Sequence, residues 1–236
     1  MTRINRSEGV RLSRVQYQRF ADVLDSLSEP EWAAPTDCPG WDVKAVASHV
    51  YGGLVCVRSP KEFVRQVLAG RRLGYDDPYD GLNEYQVRSY ASMPPAEIAT
   101  RLRALIDPAL RVRAATPWLL RTLVRPRMNV SGRVPMGWIL DVIYTRDTFM
   151  HRVDVCRATG RDFVADETEA RIVADIAREW AERHGAPVTL RLTGPAGGTY
   201  VAGSGGEEID CDAIEFARVV SGRGSGQGLL ATSVQY

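Results

Sequence analysis

The 236-residue sequence predicts an α+β protein, with a helical domain over residues 1–185 and a small α+β domain over residues 186–236. Two observations predict this division. Up to about residue 185, apolar side chains recur at helical spacing, whereas residues 188–193 alternate and are rich in β-branched side chains. Because helices come first and strands follow, two segregated units are favoured over an alternating α/β fold.

The first predicted helix covers residues 11–27, where apolar residues recur every three or four positions. Pro39-Gly40 then indicates a turn. Asp42 is a candidate N-cap, because its short carboxylate can accept hydrogen bonds from the first amides of a helix. We therefore predict a second helix over residues 43–68, with His49 on its apolar face beside Val46 and Val50.

The central part of the chain predicts further helices separated by loops. A loop rich in glycine, aspartate and proline covers residues 70–81. The following segments are a helix over 82–93, a helix from Pro95 to about 110, a short helix with loop over 117–133, and helices over 136–158 and 166–183. Gly160 is a typical C-terminal stop for the helix over 136–158.

The last fifty residues predict a small mixed unit. Strands are expected at residues 188–193, 199–202 and near 208–209, followed by a helix at 212–221, a glycine-rich loop at 222–228 and a last strand at 229–234. The loop lacks the order G-x-G-x-x-G of a dinucleotide site. Its Arg223 belongs either to a flexible turn or to a site that binds a carboxylate through backbone amides and a guanidinium.

The composition excludes several classes of function. Thirty basic against 29 acidic residues give a net charge of +1, so no strong field attracts nucleic acid. No apolar run approaches the roughly 20 residues that span a bilayer, and the N-terminus lacks an apolar signal core, which predicts a cytoplasmic protein. The cysteines at positions 38, 56, 156 and 211 form no C-x-x-C pair, so we expect free thiols.

Asp147 and His151 are the strongest candidates for chemistry. At spacing i and i+4, the two side chains share one helix face and can hold one divalent ion. His49 can supply a third ligand, and two histidines with one carboxylate leave positions open for water or substrate. The set suits zinc, iron, nickel or manganese. The simpler alternative is a surface Asp–His pair and a core histidine. His184, near a helix C-terminus, is expected to be structural.

Three segments resemble a known family. Residues 36–43, reading TDCPGWDV and followed by His49, are similar to the opening motif of the mycothiol-dependent maleylpyruvate isomerase family. Residues 147–160, DTFMHRVDVCRATG, are similar to its second motif, and residues 221–226 to the end of its small C-terminal domain. The resemblance implies a DinB-like four-helix bundle followed by that small domain.

The resemblance also implies site residues and co-substrates. A metal, usually zinc, is expected on His49, Asp147 and His151, although the founding isomerase type carries glutamate in place of Asp147. Mycothiol is expected as the thiol co-substrate. Arg223 matches the region of a catalytic arginine, with Arg218 as the alternative.

We therefore predict a metal-dependent enzyme that uses mycothiol either for S-transfer to an electrophilic small molecule or for cis–trans isomerisation of a maleylpyruvate-like substrate. One alternative is a non-catalytic protein that binds a small molecule or lipid and holds a structural metal, and another is a metalloregulator. A monomer and a homodimer are both compatible with the sequence. The aromatic candidates for the pocket, each of which could equally belong to the bundle core, are Trp41, Tyr51, Trp138 and Tyr144.

Overall fold

A computed structural model describes residues 3–236 and divides them into two compact units. The bundle unit comprises Arg6–Asp162, and the sheet unit comprises the residues from Phe163 to Tyr236 together with the described residues before Arg6. The division thus falls between residues 162 and 163, whereas the sequence pattern places it at 185/186. The difference is one helix, Glu167–His184, which packs on the sheet. A boundary between independently folding domains at 185/186 stays a prediction.

The bundle unit is helical apart from a two-stranded hairpin. Its helices are α1 (Arg6–Asp25), α2 (Val43–Arg58), α3 (Pro60–Arg71), α4 (Pro78–Tyr90), α5 (Pro95–Ala115), α6 (Trp118–Leu123), α7 (Met136–Trp138) and α8 (Tyr144–Thr159). The hairpin pairs β1 (Arg127–Met128) with β2 (Gly132–Arg133). A short 3-10 helix, Glu29–Ala33, precedes α2, and a π-helical segment, Ile139–Ile143, precedes α8.

Four of these helices form the predicted bundle. Helix α1 packs against α5 and α8, and α2 packs against the same two helices. The core between them is apolar and includes Phe20, Leu54 and Leu102, all fully buried. Asp42 caps α2 as predicted, because its Oδ1 accepts a hydrogen bond from the amide of Ala45 at 2.7 Å. The predicted fold class, a helical bundle followed by a small α+β part, is confirmed.

The helix predicted over residues 43–68 is in fact two helices. Ser59 is extended (φ −144°, ψ 129°), and Pro60 opens α3. A proline disfavours helical backbone at the preceding residue and lacks the amide that would continue the hydrogen-bond ladder. The side-chain period continues through this break, so periodicity alone missed it.

Helix α8 holds most of the candidate site, and both of its ends are well defined. The π-helical segment that precedes it, Ile139–Ile143, carries an extra residue per turn, a feature that is frequent at functional sites. At the other end Gly160 adopts a left-handed conformation (φ 67°) and stops the helix as predicted.

The sheet unit contains one helix-covered, three-stranded sheet. Its elements are α9 (Glu167–His184), β3 (Val188–Thr193), β4 (Gly198–Ala202), β5 (Glu207–Asp212) and α10 (Ala213–Arg218). The strand order is β4-β3-β5, with β4 antiparallel and β5 parallel to β3. Trp180 of α9 is fully buried and donates a hydrogen bond from Nε1 to the carbonyl of Leu229 at 3.0 Å.

The predicted last strand at residues 229–234 is wrong. Residues Gly228–Ala231 form a 3-10 helix, and the residues after it pair with no strand of the described chain. The apolar side chains that suggested a strand serve packing instead, since Val234 is buried and its amide bonds to the carbonyl of Val220. Across residues 3–236, no helix has the length and apolar character needed to cross a bilayer.

Candidate metal centre

The three predicted ligands converge inside the bundle unit. Asp147 and His151 lie one turn apart on α8, with Oδ1 of Asp147 3.3 Å from Nε2 of His151. His49 of α2, 98 positions earlier in the chain, brings its Nε2 to 3.4 Å from the same carboxylate oxygen. Both imidazoles are buried, whereas Asp147 is partly exposed. The ring centroids of the histidines lie 5.0 Å apart.

These distances fit a shared cation better than direct hydrogen bonds. A normal N–H···O bond is about 2.7–3.2 Å long, so contacts of 3.3 and 3.4 Å are long. Around a tetrahedral zinc ion with ligand bonds of about 2.0–2.1 Å, neighbouring ligand atoms lie about 3.3–3.4 Å apart. Two imidazole nitrogens and one carboxylate oxygen are also the donor types that divalent transition metals take. The residues present therefore fit a divalent ion.

A buried carboxylate behind His151 fixes the orientation of that ring. Oδ2 of Asp154, a fully buried residue, lies 2.9 Å from Nδ1 of His151. Cys38 donates a hydrogen bond from its thiol to the same oxygen at 3.3 Å. A carboxylate on the far nitrogen of a ligating histidine selects the tautomer and makes the ring a stronger ligand. Nε2 of His151 is thereby left to face Asp147.

Cys38, His151 and Asp154 form a second group whose ligand atoms lie within 4.8 Å of one another. This group meets His151 at Nδ1, and the first group meets it at Nε2. The sequence pattern did not single out Cys38 or Asp154 as site residues. The available signal was weak: Asp154 is three positions after His151 on the same helix face, and Cys38 lies in the TDCPGWD segment.

The electrostatics of the site favour a cation. Burial by itself would raise the pKa of Asp147, but the imidazoles of His151 and His49 hold the pKa of that carboxyl well below its usual range. Burial would likewise lower the pKa of His151, but the charge of Asp147, assisted by hydrogen bonds to Asp154 and Cys38, raises it well above its ordinary value. Carboxylates thus stabilise positive charge here, whether a proton or a metal supplies it.

Trp41 covers the two imidazoles from one side. Its ring centroid lies 5.2 Å from that of His49 and 6.2 Å from that of His151. A cavity of about 560 Å³ is bordered by Trp41 together with Cys38 and Lys44. Trp41, one of the aromatic pocket candidates, therefore borders this cavity and also lies beside the two candidate histidine ligands.

The arginines predicted for the site lie in the sheet unit. Arg223 is partly buried and donates a hydrogen bond from Nη1 to Oγ of Ser221 at 3.3 Å. Arg218 is buried and is held by the carboxylate of Glu215 and the carbonyl of Arg223. A catalytic role for Arg223 stays a prediction. His184 has the expected structural environment, since its Nδ1 accepts a hydrogen bond from the amide of Ala186 and its ring packs edge-on against Trp180.

Fold and site together define a helical-bundle protein with a candidate centre of two histidines and one carboxylate. The chain belongs to the mycothiol maleylpyruvate isomerase family, because the model of that family's N-terminal domain matches residues 14–156. The family is one of enzymes. The match ends within α8 and includes all three candidate ligands.

Two solved structures share the fold. The crystal structure of a mycothiol-dependent maleylpyruvate isomerase has 18% sequence identity and a TM-score of 0.60, and the similarity covers 95% of this chain and 93% of that one. A histidine-to-alanine mutant of such an isomerase gives 17% identity and a TM-score of 0.59 with the same coverage. No protein among the curated sequences matches significantly.

Proposed function

We propose that this protein is a divalent-metal-dependent enzyme that activates a low-molecular-weight thiol, mycothiol, for reaction with an electrophilic small molecule. The reaction is either S-transfer or thiol-assisted cis–trans isomerisation of a maleylpyruvate-like substrate. One observation carries the proposal: Nε2 of His49 and Nε2 of His151 both lie within 3.4 Å of Oδ1 of Asp147. The family adds the thiol and the substrate type, because its name and those of the similar structures contain both.

The ligand set suits thiol activation. A divalent ion, when bound, stabilises a thiolate over its thiol, so that a strong nucleophile exists at neutral pH. Two neutral imidazoles and one carboxylate do not neutralise such an ion, which therefore still attracts an anionic sulfur. Asp154 keeps His151 in the tautomer that presents Nε2 to the ion. The ring of Trp41 packs beside that of His49, with the centroids 5.2 Å apart.

Both reactions begin with the same bond. The thiol loses its proton, and the sulfur forms a bond to an electrophilic carbon whose displaced electron pair moves onto a conjugated carbonyl. In S-transfer by addition, a proton then returns to carbon and the thioether is the product. In isomerisation, rotation about the former double bond, now single, is followed by return of the electron pair, which re-forms the double bond and breaks the S–C bond, and the released thiolate regains its proton. For the isomerisation, Arg223 is proposed to bind a substrate carboxylate through its guanidinium.

Metal content tests the site directly. We expect purified protein to hold about one equivalent of zinc or a similar ion, and His49→Ala to lose most of it, measured by elemental analysis. His184→Ala is the matched control, since that histidine lies outside the site. Mycothiol and a panel of electrophiles, with products identified by mass, then test turnover. Metal-free protein would contradict the proposed site, and metal-loaded protein that forms no thiol-dependent product would favour the alternative, a non-catalytic protein that binds a small molecule or lipid and holds a structural metal.

A cytoplasmic location belongs to this proposal. The four cysteines are free thiols, which is typical of a reducing compartment, and a reduced thiol co-substrate needs the same conditions. The partners implied are the thiol and one electrophilic small molecule.

A further inference from the structure

A second cavity, of about 270 Å³, lies within the bundle unit and is distinct in chemistry from the cavity beside Trp41. Its walls come from α2, α3, α4, α5 and the segment before α8, and include Phe63, Leu82, Val112 and Leu140. None of the described residues that line it is an arginine, lysine, histidine, aspartate or glutamate. A carboxylate placed in this cavity would gain no charged partner to offset the hydration it loses against the apolar walls.

Tyr144, which lines the cavity, lies one helical turn before the candidate ligand Asp147 on α8. On α2, Gly53 follows His49 by four positions, and on α8 Tyr144 precedes Asp147 by three. A side-chain carbon at Gly53 would lie 3.4 Å from the Tyr144 ring, so that ring packs on α2 directly beyond His49. Tyr144 lines the cavity. On α2 the first residue that lines the cavity is Cys56, seven positions after His49. Seven helical residues rise about 10 Å and three rise about 4.5 Å, so the ligands and the cavity lie within the span of one small molecule.

The polar groups at this end of the cavity are uncharged. Burial raises the pKa of Tyr144 well above its ordinary value and raises that of Cys56 to about 12. Cys56 and Tyr144 share a hydrogen bond. The guanidinium carbon of Arg113 lies 5.8 Å from the centroid of the Tyr144 ring, but Arg113 does not line the cavity.

We infer that this cavity holds the apolar, uncharged part of the electrophile, such as an aromatic ring carrying a short conjugated chain. The inference rests on the proposed function and narrows it to S-transfer onto a neutral hydrophobic electrophile rather than isomerisation of a dicarboxylate. The cavity is large enough for an aromatic ring, since an apolar cavity of about 150 Å³ accepts benzene. In an α,β-unsaturated ketone with an aryl group on the β-carbon, sulfur bonds to the β-carbon and the thiol proton is transferred to the α-carbon.

Binding of toluene, followed by saturation-transfer NMR, tests the cavity without any turnover. We expect toluene to bind the wild-type protein, and Val112→Phe, which fills the cavity, to weaken binding at least tenfold. Val23→Phe is the matched control, because it enlarges a partly buried valine of α1 outside the cavity. Val64→Trp is a second variant at a position 54% exposed, where folding is less at risk. Undetectable toluene binding, binding unchanged in both cavity variants, or displacement of toluene by maleate would overturn the inference.

Turnover separates failure of this inference from failure of the proposed function. With metal-loaded protein and mycothiol, we expect 4-phenyl-3-buten-2-one to react and Val112→Phe to raise its KM several-fold while metal content stays unchanged. If maleylpyruvate reacts and 4-phenyl-3-buten-2-one does not, the proposed function stands and the cavity inference is wrong. If neither reacts and the protein binds no metal, the proposed function itself fails.

Discussion

Asp154 and His151 lie one turn apart on α8, and Oδ2 of the carboxylate is 2.9 Å from Nδ1 of the imidazole. Asp154 is fully buried, and its contact with the ring leaves the opposite nitrogen facing Asp147. A carboxylate in this position is the usual partner of a histidine that binds a metal. This contact explains why Asp154, which is not one of the three candidate ligands, belongs to the candidate site.

Asp154→Asn tests that relationship. Because the amide is a weaker acceptor and lacks the charge that makes the imidazole basic, we expect zinc affinity to fall about 10- to 100-fold. Titration against a competing chelator measures the affinity. Asp162→Asn, at an exposed position just beyond α8, should leave it unchanged. Equal affinity in the wild type and Asp154→Asn would remove Asp154 from the site.

Replacement of Asp147 tests whether its carboxylate is a ligand. Asp147→Asn removes the charge, and we expect at least a tenfold loss of metal affinity. Asp147→Glu keeps the carboxylate on a chain one methylene longer and should retain most of the binding, because Asp147 is partly exposed and has room to adjust. Elemental analysis after dialysis gives the metal content. Full metal content in Asp147→Asn would show that the histidines bind without it.

The hydrogen bonds to Glu31 predict that the stability of the fold depends on pH. Hydrogen bonds from Arg161 and then Ser28 lower the pKa of Glu31 to about 2. A carboxyl whose pKa is lower in the folded than in the unfolded state stabilises the fold above the unfolded value, and this contribution is lost as the pH falls. We expect Glu31→Gln to melt below the wild type at pH 7 and the difference to vanish as the pH falls from about 5 to about 2. A difference that is constant over this range would contradict the assignment.

Gly9 permits the close contact between α1 and the segment before α8. A side-chain carbon at this position would lie 2.6 Å from the carbonyl oxygen of Asp141, so the two segments would have to separate. We expect Gly9→Ala to lower the free energy of unfolding by about 1–3 kcal/mol, as overpacking does, measured by urea denaturation. Ser7→Ala, at an exposed position of the same helix, should change it by less than about 0.5 kcal/mol.

Local sequence patterns predicted much of this molecule. The N-cap at Asp42, the stop at Gly160 and the shared face of Asp147 and His151 each depend on neighbours a few residues away, and the structure has all three. The family resemblance also came from short segments of sequence, and the match over residues 14–156 confirms it.

Other features depended on contacts between distant parts of the chain. Periodicity showed that His49 lies on an apolar face, but only the packing of α2 against α8 brings it to 3.4 Å from Asp147. It likewise could not show that α9 packs on the sheet or that residues 228–231 form a 3-10 helix.

The physical reason is that side-chain spacing shows which face of a helix or strand is apolar, but not which other part of the chain packs against that face. The sequence by itself determined where most of the helices lie, the N-cap at Asp42, the stop at Gly160 and the candidate ligand types. The tertiary structure decided which candidate ligands meet, that Asp154 and Cys38 contact His151, and that Tyr144, one turn before Asp147, lines a cavity with no charged side chain among the described residues around it.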